Sequence, residues 1–504
     1  MKKRETFITT HWPHIVLGLF VVAYATYFSW FTVLRYKTLY AHYFDLGIMH
    51  QTVYNSYMAL KTGDWSRFLE MTNPHGVGQV KRMAVHNDIL LGLLSPLYFI
   101  HDGPETLLVL QSIALALGTI AVYGIAKHIF KGYRPAHILP LLFSFAYVMY
   151  PPLQFSNLFE FHAVVLATPL ILFMVYWYFE KKFALMALCA ALALFSKEQV
   201  GLTVGFFGIF VILRGYLIRH RDGIAQLKKV LPWGAALLVV GIAWFVLSMM
   251  VIIPHFRSGT HFAIGYFGDF GESTKDIFIG LLKNPVKVIS LIFRKDTYEY
   301  IYAIFGPIGF VSFLSPLSLL IALPELAINL LSNQGAMRNI YFHYSAVITP
   351  IVFVSAIYGL RRIIILLKPQ HVAAWFVGAI FVIPVFYFSW TMSPLPYSAR
   401  REVHPIQWPV RERESAYMWQ QKLKNDSIRV SASGHIEPLF ASRRFAYEFA
   451  QHPYSLADYI VISTDEVYNQ YQSDKAIPQY EALKKDSRYQ LIYKKDFLEV
   501  YKRT

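Results

Sequence analysis

Carboxylates, imidazoles and cations recur in this chain as short polar groups at the borders of long apolar runs. They are Asp45 in Phe44-Asp45-Leu46-Gly47, His86 and Asp88 on either side of Asn87, Glu160 and His162 around Phe161, the pair Lys197-Glu198, then Arg338 and His343-Tyr344. A carboxylate can take a proton from a hydroxyl or amine, while Lys, Arg and His can neutralise a departing phosphate. The combination suits transfer of a group from a phosphate-linked lipid, provided that all these side chains reach one face of a membrane. Asp45 stands first because it follows an uncharged apolar run by about ten residues, which sets its carboxylate at the water–membrane interface. Each residue also has a plainer role. Asp45 can cap the helix read from residues 46–60, Lys197 and Glu198 can pair as neighbours, and His343 with Tyr344 can anchor a helix end at the interface.

The elements that must position these residues follow from composition. With 55% hydrophobic, 17% aromatic and 15% charged residues in 504, the chain has too much apolar surface for an ordinary soluble protein and reads as polytopic in a membrane. The formal charge of +16 comes from Lys and Arg placed mostly between apolar runs and in the C-terminal tail. Membrane topology and anionic lipid account for that balance without nucleic acid. One cysteine, Cys189, lies inside an apolar run, so neither an intrachain disulfide nor a thiolate metal cluster forms. The start, Met1-Lys2-Lys3-Arg4-Glu5, has the charge of a signal n-region. The run at 14–34 is nevertheless about 20 residues, spanning length, with no small-residue cleavage site, and is expected to stay as an anchor.

A single threading puts the basic loops on one side. Residues 105–126 go in towards Lys127, Lys131 and Arg134, 137–150 come out to Pro151-Pro152, and 163–179 go in to Glu180-Lys181-Lys182. Residues 183–195 deliver Ser196-Lys197-Glu198 outside, and 200–213 lead in to Arg214, Arg219, Arg221, Lys228 and Lys229. Residues 231–253 come out, 301–314 and 317–331 form a hairpin broken at Ser315-Pro316, 345–367 go in past Arg361-Arg362, and 372–392 come out. About eleven spans result, with the N-terminus inside and the C-terminus outside. This parity requires that residues 87–100, which are short and contain Pro96, lie at the interface instead of crossing. Glu325 falls within an apolar arm, where an ionisable group has either a buried partner or a function. Asp45, His75, Lys81, Arg82, His86, Asp88, Glu160, His162, Lys197, Glu198, Arg338, His343 and Tyr344 all arrive at the outer face.

Two units are expected: a membrane unit over residues 1–393, with external loops at 35–104 and 254–300, and an external α/β unit over 394–504. In the second, 428–431 and 459–463 read as short buried strands, 465–485 as largely helical, and 489–493 with 498–501 as a closing hairpin. It carries no Gly-rich phosphate loop, Ser elbow or Cys pair, so chemistry is expected in the membrane unit.

Several short motifs together resemble one family. They are Phe44-Asp45-Leu46-Gly47, His86 ahead of the Leu-Leu-x-Pro-Leu-Tyr run at 93–98, Glu160-Phe161-His162, Lys197-Glu198, the run at 323–332, and His343-Tyr344-Ser345-Ala346. This pattern, over roughly residues 40–460, is similar to the prokaryotic membrane-protein family catalogued as domain of unknown function twenty seventy-nine. The family is similar in layout to the GT-C glycosyltransferases, with an acidic first external loop, a juxtamembrane helix and an external C-terminal domain. The resemblance implies Asp45 as catalytic base and Glu160 as a second acid closing the site. The stretch His86-Asn87-Asp88-Ile89 lacks the paired prolines of several GT-C branches. The first-loop motif has one acidic residue, which argues against an obligatory metal.

The expected function is therefore a GT-C-like transferase moving a sugar from a polyprenyl-phosphate donor to an external glycan, lipid or protein acceptor. His86, Asp88, His162, Lys197, Glu198, Arg338, His343 and Tyr344 are expected to bind substrate. No residue is assigned to a metal and no cofactor is required, although a divalent cation is compatible with the residue set. The location is the plasma membrane of a bacterium or archaeon, with membrane lipids as further partners. A lipid or solute transporter would account for Glu325 and the broken hairpin but predicts two repeated halves, which are not seen in the sequence. A membrane scaffold presenting the C-terminal unit is the third reading.

Overall fold

The computed structural model describes residues 7–133, 138–367, 370–469 and 472–504. Lys2, Lys3, Arg4, Arg134, His137 and the side chain of Arg221 lie outside this description. Among the described residues, six helices are long and apolar enough to cross a membrane: His11–Lys37, Glu105–Ile129, Val200–His220, Ile224–Arg257, Thr349–Leu366 and Val372–Met392. A seventh crossing results if Ile138–Val148 and Pro151–Leu158, bent by 41°, form one span. The bend sits where Tyr150 precedes two prolines and is held extended at φ −77°, ψ 112°.

The further runs expected to span are shorter. Ala163–Phe179, Phe183–Leu194 and Pro316–Leu331 have 10–17 residues each. At 1.5 Å per residue such helices reach only part of the way across a hydrocarbon core of about 30 Å. Residues 301–314 do not form one helix. Lys295–Phe305 ends in a turn with Gly309 and Phe310 at positive φ, followed by a 3-10 turn at Val311–Leu314. Residues 87–100 contain only Leu90–Leu94 and the 3-10 turn Ser95–Phe99, too short to cross.

Helices Val200–Asp222 and Ile224–Leu247 pack through facing glycines. A Cβ at Gly201 or Gly241 would fall inside van der Waals distance of the other's carbonyl, and the same holds for Gly208 and Gly234. Backbones that approach this closely gain contact where lipid offers no hydrophobic drive.

The first loop begins with a single π-helical turn, Tyr43–Gly47, and runs into the helix Ile48–Thr62, which Gly63 ends at φ 78°. A hairpin of β1 (Glu70–Thr72) and β2 (Gln79–Lys81) follows. The C-terminal unit is a five-stranded sheet of β3 (Val430–Ala432), β4 (Ala446–Glu448), β5 (Tyr459–Ser463), β6 (Tyr489–Lys495) and β7 (Leu498–Arg503), in the order β4-β3-β5-β7-β6. The β3 strand is parallel to β4 and β5, while β7 is antiparallel to β5 and β6. Its core is continuous with the first loop: Leu46, Val53, Leu91 and Phe161 pack in one cluster with Ala432, Ile436, Val461 and Val500. Arg67 with Asp426 (2.6 Å) and Arg444 with Glu70 (2.8 Å) fasten the same junction. The sheet therefore fixes the surface against which the turn at 43–47 is set.

Candidate active site

Asp45 lies inside the π turn, and neither end of that turn nor the start of the next helix has a side-chain cap. The plainer reading of Asp45 as an N-cap is thus not realised. Its Oδ1 instead meets His162 Nε2 at 2.9 Å, and the carboxylate is 24% exposed. The His162 ring stacks on His343 at 3.9 Å and on Phe159 at 5.5 Å, and His343 packs on Tyr344 at 4.4 Å. The neighbouring Phe159 and the distant His343 thereby orient one imidazole towards Asp45. Burial, with His162 and Lys197 adding, pushes the His343 imidazole well below its usual range, so that ring is neutral.

Glu160 sits beneath the turn. Its Oε1 accepts the His42 N–H and its Oε2 the Leu46 N–H, each at 2.8 Å. Burial and the charge of Asp45 push its pKa up, against those two bonds and Arg35. Glu160 has φ 63°, a left-handed conformation uncommon for a residue with a side chain. Gln111 holds it there: its Nε2 donates to the Glu160 carbonyl at 2.7 Å and its Oε1 accepts the His162 N–H at 3.0 Å. With both carboxylate oxygens taken by backbone donors, Glu160 positions the turn that carries Asp45.

A second cluster forms around Glu198. His86 Nδ1 lies 2.9 Å from Oε1, the Asn87 N–H donates to Oε2 at 3.0 Å, and His261 Nε2 is 3.3 Å from Oε1. Burial opposes the charge on Glu198, and His86 and His261 more than offset it, holding the carboxyl well below its usual range. Burial pushes His86 down to about 3, so its neutral ring donates from Nδ1. These three side chains have the residue types and spacing of a cation site, with one ligand atom from each within 4.8 Å of the others. The tautomer of His261 points the other way. Its Nδ1 accepts the Ala263 N–H at 3.0 Å, which leaves the proton of the neutral ring on Nε2, facing Glu198. The geometry is that of a carboxylate ringed by donors.

The other expected residues divide. Lys197 is half-buried and, among the described residues, makes no hydrogen bond or ion pair, while its charge is felt at His343 and His86. Tyr344 stands within the field of Asp45. Glu325 reaches Gln199 at 3.4 Å, next to Glu198, with Oε2 buried and unbonded. Asp88 is closed off in a buried two-bond pair with Arg82, both at 2.8 Å. Arg338 pairs with Asp296 at 2.6 Å and donates to the carbonyls of Asn329 and Ser332, so its donors are taken up within the protein.

The C-terminal unit supplies neighbours that the sequence did not reveal. The Tyr43 N–H donates to the Gly434 carbonyl at 2.9 Å, and Gly47 lies against Glu437, where a Cβ would overlap the carboxyl. That close approach accounts for glycine at the end of the Asp45 motif. Next to it His435 lies between Glu412, at 3.4 Å, and Glu466. Burial disfavours a charged ring, but the two carboxylates outweigh it and raise His435 to about 9. His42, at the start of the turn, is 6.4 Å from His435 between ring centroids. Among these residues only Gly47, inside an already notable motif, left a sign in the sequence.

These features define a multi-pass α-helical membrane protein with a small sheet unit, whose candidate site lies between the first loop and the ends of several helices. The chain belongs to the family described as predicted membrane protein DUF2079, whose sequence profile matches residues 35–500. Two crystal structures of ArnT from Cupriavidus metallidurans follow a similar path. The form bound to undecaprenyl phosphate has 12% identity over 96% of this chain and 97% of that one, with a TM-score of 0.49. The apo form has 12% identity over 91% and 93%, with a TM-score of 0.47. No curated protein matches the chain in sequence.

Proposed function

We propose that this protein is a GT-C-type transferase that moves a sugar from a polyprenyl-phosphate donor to an acceptor on the membrane face carrying Asp45. The observation that carries the reading is the state of Asp45: one oxygen is bonded to a stacked, oriented imidazole, and the carboxylate is open to solvent within a buried polar surround. A helix cap would spend a carboxylate oxygen on a backbone N–H, and no backbone N–H among the described residues bonds Asp45.

In this mechanism Asp45 removes the proton of an acceptor hydroxyl or amine as that group attacks the anomeric carbon. The bond from the anomeric carbon to the phosphate oxygen breaks, and its electron pair leaves with the polyprenyl phosphate. Lys197, an ammonium that makes no ion pair among the described residues, receives the phosphate charge. His162 orients Asp45, and Tyr344 lines the space between them and the donor. Glu160 positions the turn, and the Glu198 cluster ties the loop of His261 to His86.

The test is release of polyprenyl phosphate from lipid-linked sugars in proteoliposomes supplied with cell-envelope extract as acceptor source. Asp45→Asn preserves size and the bond to His162, and should lower the rate on the order of 10²- to 10⁴-fold with unchanged thermal stability. A folded Asp45→Asn protein with near wild-type release would overturn the assignment.

A further inference from the structure

A cleft of about 410 Å³ opens at the far end of the membrane unit from Asp45, lined by His128, Lys181, Arg214, Arg219, Gly223 and Gln226 among others. Gln111, which bonds the Glu160 carbonyl, and His128 share the helix Glu105–Ile129, and at 1.5 Å per residue they stand about 25 Å apart along it. The cleft is separate from the candidate active site.

Its chemistry is set by Arg214. The guanidinium is half-buried over the rings of Phe179 (5.2 Å) and Tyr178 (5.6 Å). Nε donates to the Tyr358 hydroxyl and Nη1 to the Tyr178 hydroxyl, each at 3.2 Å. Two fixed hydroxyls and two rings hold the planar fork, yet no carboxylate among the described residues pairs with it. A half-buried cation without a counter-charge carries an uncompensated desolvation cost, which an anion in the cleft would relieve. Lys181 and Arg219, both exposed, add positive charge to the lining. Among the described side chains the acid nearby is Glu180, 3.8 Å from His128 Nδ1. Gly223 and Gln226 bring in the start of helix Ile224–Leu247, which has no side-chain cap and so adds free N–H donors. Leu213 and Leu217 are exposed on the same stretch of helix, where acyl chains would lie.

We infer that this cleft binds a phosphate group through Arg214, Lys181 and Arg219, and that the phosphate is the headgroup of an anionic membrane lipid. Uncompensated charge, a fixed fork and an apolar flank together match a phosphodiester tethered in the bilayer.

Native mass spectrometry of the full chain released from nanodiscs of mixed phosphatidylglycerol and phosphatidylcholine tests this. A second arm adds inorganic phosphate to protein in phosphatidylcholine alone and follows its melting temperature. The wild type should retain phosphatidylglycerol on the order of tenfold more than Arg214→Gln, with Arg214→Lys between them. The rim variant Lys181→Gln with Arg219→Gln touches no core packing and should lose retention severalfold at unchanged melting temperature, which keeps the test readable if Arg214→Gln does not fold. Stabilisation by inorganic phosphate without lipid retention would overturn the lipid as the source. Equal phosphatidylglycerol retention by wild type and rim variant, with no response to phosphate, would overturn the site.

Discussion

Replacing Glu160 with Gln should loosen the turn that carries Asp45 without unfolding the protein. Glu160 accepts the N–H groups of His42 and Leu46, each at 2.8 Å, and a bond of this kind contributes about 0.5–1.5 kcal/mol. The Gln amide keeps one bond and sets its own NH₂ against the other N–H, leaving a buried donor unsatisfied at a further cost of about 1–3 kcal/mol. Together the local loss is about 1.5–4.5 kcal/mol. At about 1.4 kcal/mol per factor of ten, amide exchange across residues 42–46 should accelerate at least about tenfold. The clamp lies outside the cluster of packed spans, so the global melting temperature should move little. Hydrogen–deuterium exchange of peptides covering 40–48 in detergent measures the change. Acceleration of less than about threefold would refute the clamp. In the transferase reading, displacing Asp45 by about 1 Å should also lower turnover on the order of a hundredfold.

Asp88→Asn strands the buried Arg82 guanidinium and should cost about 3–5 kcal/mol in thermal unfolding, whereas Arg82→Met with Asp88→Leu should recover most of that loss. His435 has its pKa raised to about 9 in the folded protein, against an ordinary value of 6.5. Its stabilising effect, on the order of 3 kcal/mol, is fully present below about pH 6.5 and is lost as pH rises through 9. The protection factor of the Tyr43 amide, which donates to Gly434, should therefore fall between about pH 6.5 and 9.5 once the intrinsic base-catalysed rise in exchange is divided out, and a constant protection factor would contradict the imidazolium assignment. Gly241→Leu forces a side chain into the backbone of the facing helix at Gly201 and should destabilise by more than the usual 1–3 kcal/mol of overpacking, read as a lower melting temperature.

Sequence by itself determined the membrane class, the long spans, the absence of a spanning helix in residues 87–100 and most of the C-terminal sheet. These depend on run length, turn residues and period-two alternation, all of which are local. The β4 strand escaped because Ala446-Tyr447-Glu448 contains no β-branched residue, whereas the stretches at 428–431 and 459–463 do. The excess in expected spans has a similar cause: an apolar run of 12–17 residues looks alike whether it crosses a bilayer or packs part-way into a bundle.

At the candidate site, the sequence marked Asp45, Glu160, His162, Lys197, Glu198 and His343 as residue types able to do chemistry. Only the tertiary structure decided their partners. Asp45 meets His162 across 117 positions and His86 meets Glu198 across 112, separations at which no local pattern carries information. Packing also sorted residues of equal charge. Arg338 and Lys197 are both cations at helix borders, yet Arg338 is closed by Asp296 and two carbonyls while Lys197 makes no ion pair among the described residues. The same holds for the carboxylates: two backbone N–H groups close Glu160, and Arg82 closes Asp88, while Asp45 remains open. A side chain's chemistry depends on which of its atoms are left unbonded, and that is settled by neighbours brought in from other segments of the fold.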